Sequence, residues 1–64
     1  MTKAETDLGK KIAKQSYVEL TTQAQQNAAA KLVALGLVRL YGGHAGPMYA
    51  KAKTHVAKLE MSSW

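Results

Sequence analysis

The sequence predicts an all-α protein, a small helical hairpin or three-helix bundle, in one domain of 64 residues. Three observations carry that expectation. Capping signals stand at Thr2 and Thr22, a dense apolar run fills residues 28–41, and a glycine-rich break at residues 42–47 is followed by a further helical pattern. A chain this short buries only about 60% of the surface it exposes when unfolded, so every element must contribute to a small core.

Thr2-Lys3-Ala4-Glu5 fits a capping box, in which the Thr hydroxyl takes an orphan N–H and the Glu carboxylate answers the cap's own N–H. The first helix starts there, with Ala4, Leu8, Ile12 and, less regularly, Val18 as its apolar stripe. Asp7 and Lys11 add a favourable i,i+4 pair. Lys3, Lys10 and Lys14 fall within about 40° of one another at roughly 100° per residue, a basic ridge beside the stripe. Leu20-Thr21-Thr22 interrupts with β-branched residues, and Thr22-x-x-Gln25 offers a second capping box. The segment QAQQNAAA that follows reads as the polar first turns of a second helix, since Ala and Gln both favour helix. Should the threonine pair fail to break the chain, residues 2–41 form one long helix.

On the same wheel Leu32, Leu35 and Val38 share one side of the second helix, while Val33, Leu37 and Leu40 occupy the other. A helix apolar nearly all round must be covered on more than one face. A strand competes for residues 37–41, because periodicity cannot type a short apolar run. With Lys31 and Arg39 in or beside it, the run is too short for a bilayer, which needs roughly 20 apolar residues. Gly42-Gly43-His44-Ala45-Gly46-Pro47 then reverses the chain as an inter-helix turn, its proline suited to the first turn of a third helix. Met48, Ala52, His55, Val56 and Leu59 trace that helix's stripe, flanked by Lys51 and Lys58. Trp64 is expected to pack on the nearest apolar surface.

Nine Lys and Arg against four acids give a net charge of +5, which favours acidic partners. Without cysteine there are no disulfides or thiolate metal sites, and His44 and His55 lack the close spacing of zinc ligands. No metal or cofactor site is expected. The acids are scattered, no Ser or Thr stands with His and Asp as an activated nucleophile, and the glycines lack the Lys-Ser/Thr ending of a phosphate-binding loop. The sequence therefore points to a non-enzyme with no small-molecule substrate. MTKAETDLGKK has neither the apolar core of a secretory signal nor the acid-poor character of a transit peptide. Together with the missing membrane span, that suggests a cytoplasmic location or a place within an assembly.

The leading functional expectation is an assembly or interaction protein that buries its central helix on copies of itself or on a larger partner. Val33, Leu37, Leu40, Tyr41 and Trp64 are the candidate interface, and Leu37→Lys is expected to disrupt association without loss of helicity. Lys3, Lys10, Lys14, Arg39, Lys51 and Lys58 are the candidate polyanion-binding residues, facing nucleic acid or an acidic protein surface. Any platform for stacking bases must come from Tyr17, Tyr41, Tyr49 or Trp64. An anionic membrane, met by a cationic bacteriocin-like peptide with Lys-flanked helices and a terminal Trp, ranks below these partners.

One stretch suggests another fold. Lys31-Leu32-Val33-Ala34-Leu35-Gly36-Leu37-Val38-Arg39-Leu40-Tyr41 resembles the end of the recognition helix and the start of the wing strand in winged-helix DNA-binding proteins, where Leu-x-x-x-Gly-Leu-Val-x recurs. The resemblance covers about half the chain. It implies a short winged helix in which Ile12-Ala13 lie on the preceding helix, the helix from Thr22 enters the major groove, and residues 37–53 form a hairpin wing around residues 42–46. The same residues 48–59 carry the strongest amphipathic helix pattern in the chain, so the two readings compete there.

Overall fold

Both capping boxes form. In the computed structural model, which describes residues 1–64, Thr2 Oγ1 accepts from the Glu5 N–H at 3.3 Å and the Glu5 carboxylate accepts from the Thr2 N–H at 3.1 Å. They open α1 (Lys3–Gln15). Thr22 Oγ1 accepts from the Gln25 N–H at 3.1 Å and Gln25 Oε1 from the Thr22 N–H at 3.2 Å, opening α2 (Gln23–Ala34). The chain between them is extended. Ser16, at φ 69°, stops α1, and Tyr17–Leu20 forms β1 with side chains alternating out and in. Val18 therefore belongs to a strand and not to the stripe of the first helix.

The apolar run of residues 28–41 is cut in two at Gly36. Leu35 caps α2, Gly36 takes φ 77°, and the N–H groups of Gly36 and Leu37 donate to the carbonyls of Val33 and Leu32 at 2.9 and 3.0 Å. This is a Schellman ending, in which a left-handed residue lets two orphan carbonyls be answered and brings an apolar residue after the helix onto one in its last turn. Leu37 and Leu32 are those two residues, and both are buried. The chain leaves the cap as β2 (Val38–Gly42), turns through residues 43–47, and returns as β3 (Met48–Ala52). Gly42, at φ 78°, also lies where a Cβ would strike the Pro47 carbonyl, so the turn requires glycine there.

The third helix is shorter and later than its expected stripe. Thr54 caps it, accepting from the Ala57 N–H at 3.0 Å, and α3 runs His55–Ser62. It buries Ala57 and Met61, whereas Val56 and Leu59 are 73% and 55% exposed.

The chain is thus α+β, three helices and one three-stranded antiparallel sheet in the order β1-β3-β2, and the all-α expectation is overturned. Residues 42–47 join two strands instead of two helices. The hairpin of β2 and β3 lies within residues 37–53, but α1 and α2 are joined by a strand and not by the short turn of a helix-turn-helix. A helix also follows the hairpin.

Central β3 pairs with both neighbours, which aligns Val18, Ala50 and Leu40 in one row across the sheet. Val18, Leu20, Ala50 and Val38 join Leu8, Ile12 and Ala13 of α1, Ala28, Ala29 and Leu32 of α2, and Ala57 and Met61 of α3 in a single cluster. All three helices therefore cover one face of the sheet. No polar or charged side chain is buried, so the core carries no desolvation penalty from unpaired groups. The alanines let the helices approach closely, and Gly9 does the same for the C-terminus: a Cβ there would overlap the six-membered ring of Trp64. Trp64 packs against the core beside α1.

Two outcomes follow from this packing. Leu37→Lys introduces a charge into the core next to the α2 cap, and in a domain this small we expect loss of the cooperative denaturant transition, at a cost of about 2 kcal/mol or more. A mutant that keeps the wild-type midpoint would contradict the burial of Leu37. Gly9→Ala should improve helix propensity by about 1 kcal/mol yet displace Trp64. The expected result is a red-shifted, more readily quenched tryptophan emission with little net change in stability; unchanged emission would mean that Trp64 does not pack over Gly9.

Candidate functional site

A strand's side chains alternate between faces, so burying one face of the sheet exposes the other. Tyr17 and Glu19 of β1, Tyr49 and Lys51 of β3, and Arg39 and Tyr41 of β2 all project from the face opposite the helices. Register orders them in two rows. Tyr17 stands opposite Lys51, and Lys51 opposite Arg39; in the next row Glu19 stands opposite Tyr49, and Tyr49 opposite Tyr41.

Diagonal contacts knit the rows together, as expected for large side chains one step out of register. The Tyr17 and Tyr49 rings meet edge to face with centroids 5.6 Å apart and an interplanar angle of 76°. Lys51 Nζ sits 5.6 Å from the centroid of the Tyr41 ring, within cation–π range. Tyr17, Tyr41, Tyr49 and Lys51 together line an open depression of about 290 Å³. Tyr17 and Tyr41 are 55% and 45% exposed, so two aromatic rings remain accessible beside a half-buried third. All three tyrosines of the chain thus gather on one open face with two of its cations.

The fold separates the other candidate residues. Lys3, Lys10 and Lys14 are exposed along the side of α1 turned away from its buried Leu8 and Ile12, hence away from the sheet. Asp7 lies among them on the helical wheel and dilutes their charge. Lys58 is exposed on α3. Only Arg39 and Lys51 of the six cations are cross-strand neighbours.

The five candidate interface residues do not share a face either. Leu37 is in the core, Leu40 lies on the helix-covered face, and Tyr41 is on the opposite one. Val33 is exposed on α2, and Trp64 lies over Gly9. Tyr17 and Tyr49 join Tyr41 because β1 and β2 flank β3, a relation visible only in the sheet order. Tyr17-Val18-Glu19-Leu20 did carry a signal, the alternation of a half-buried strand.

His44 lies in the hairpin turn and His55 starts α3, and no three His, Asp or Glu side chains are grouped as metal ligands. No helix is long and apolar enough to cross a membrane. No protein-family model matches the sequence, and no curated protein or solved structure is significantly similar to it.

Proposed function

We propose that this chain binds single-stranded nucleic acid on the open face of its sheet. The observation that carries the reading is the gathering of Tyr17, Tyr41 and Tyr49 with Lys51 around one shallow depression. Bases of an unpaired strand expose their flat faces, and each one stacked on an aromatic side chain contributes about 1–3 kcal/mol. Lys51 and Arg39 add cations for the phosphates between those bases, and the net charge of +5 favours approach of a polyanion. An open sheet with two exposed aromatic rings beside a half-buried third suits strands whose bases can splay apart.

A duplex read by α2 is less well supported. Gln25 Oε1 already accepts from the Thr21 and Thr22 N–H groups at 2.8 and 3.2 Å, and Gln23 Nε2 donates to Asn27 Oδ1 at 2.9 Å. Gln23, Gln25 and Asn27 are thus engaged within the first turns of the helix, whose only charge is Lys31. The self-assembly reading drew on an apolar surplus in residues 32–40. Leu32, Leu37 and Val38 are buried in the core, which removes half of that surplus, while Val33, Leu35 and Leu40 stay exposed.

Fluorescence anisotropy with a labelled single-stranded oligonucleotide of roughly ten residues tests the proposal against the matching duplex. We expect tighter binding to the single strand and at least a fivefold loss on Tyr49→Ala, the lower end of the stacking range. Arg39→Gln with Lys51→Gln should flatten the salt dependence by about 0.7 for each phosphate that is no longer neutralised. Equal affinity for the duplex, or a Tyr17/Tyr41/Tyr49→Ser variant that binds as well as wild type, would overturn the reading.

A further inference from the structure

The one acid on the open face is out of keeping with a surface that only attracts phosphates. Glu5 and Asp7 lie on α1 and Glu60 on α3, while Glu19 projects beside the tyrosines, exposed and directly opposite Tyr49 in register. Its carboxylate makes no hydrogen bond to a helix end, unlike that of Glu5, which caps α1. Residues directly opposite across an antiparallel pair have Cβ atoms about 5 Å apart, so a carboxylate at Glu19 reaches the edge of a ring lying over Tyr49.

We infer, resting on the single-strand reading, that Glu19 is the specificity-determining residue of the face and selects guanine at the Tyr49 position. An ionised carboxylate only accepts hydrogen bonds. Guanine presents N1–H and an N2 amino group side by side on its Watson–Crick edge, which matches the two carboxylate oxygens as a bidentate pair. Adenine and cytosine offer a single amino group next to a ring acceptor. Thymine and uracil present one N–H between two carbonyl oxygens, which repel the carboxylate. Glu19 therefore costs some phosphate attraction and returns a preference among bases, the order being guanine, then adenine and cytosine, then thymine or uracil. A good bidentate pair discriminates by about fivefold or more.

The test compares an all-thymidine oligonucleotide with the same strand carrying one central dG, or deoxyinosine, which lacks the N2 amino group. Wild type should prefer the dG strand by at least about fivefold, with deoxyinosine between. Glu19→Gln and Glu19→Ala should both reduce that preference to about twofold or less while leaving the thymidine strand bound as well or better. If both variants tighten all three strands equally and the preference is unchanged, Glu19 is only an edge-strand charge and the inference fails. If folded wild type binds none of the strands, the single-strand reading itself fails.

Discussion

Coverage of one face of a short sheet by three helices is the constraint on which the rest of this structure depends. Period two is rigid: once Ala50 of the central strand is buried, Tyr49 and Lys51 must face the other way. The same rule turns Tyr17 and Glu19 outward because Val18 and Leu20 go in. A one-residue slip would invert every one of these positions, and the burial of Val18 and Leu20 on β1, Ala50 on β3 and Val38 on β2 is what holds the register. The tyrosine face is thus a geometric consequence of the core.

The helix starts were legible in the sequence because capping is local chemistry. Thr2 with Glu5 and Thr22 with Gln25 act across three residues and need no tertiary partner. The strands were obscure for two separate reasons. Residues four apart share a face in a helix and in a strand alike, so Met48 and Ala52 fit both patterns, and only the burial of Ala50 between them distinguishes the strand. Ala and Lys favour helix, yet the central strand's hydrogen bonds to both neighbours override that preference in β3. In residues 28–41 the deciding residue was Gly36: a glycine flanked by leucines ends a helix as readily as it interrupts one, and the two carbonyl partners that mark the ending exist only in three dimensions.

The open face was legible residue by residue but not as a site. Tyr17, Tyr41 and Tyr49 were each recognisable as stacking candidates, and Arg39 and Lys51 as cations. Their convergence depends on β1 and β2, separated in sequence by α2, flanking β3 in the sheet. The lysines of α1 were more conspicuous in the sequence because they share one helix face. They lie on the side of α1 turned away from the sheet, and no tyrosine accompanies them. What separates the two basic surfaces is therefore the presence of flat rings, which suit unpaired bases where lysines alone offer only charge.

The central claim is that the uncovered sheet face, and not a helix, meets the ligand. Titration of a single-stranded oligonucleotide into isotopically labelled protein, followed by backbone amide and tyrosine ring resonances, measures this most directly. The largest shifts are expected on Tyr17, Glu19, Arg39, Tyr41, Tyr49 and Lys51, with α2 unaffected beyond its end near β2. Shifts concentrated on the exposed side of α2 or on Lys3, Lys10 and Lys14, with the tyrosine rings unmoved, would contradict it.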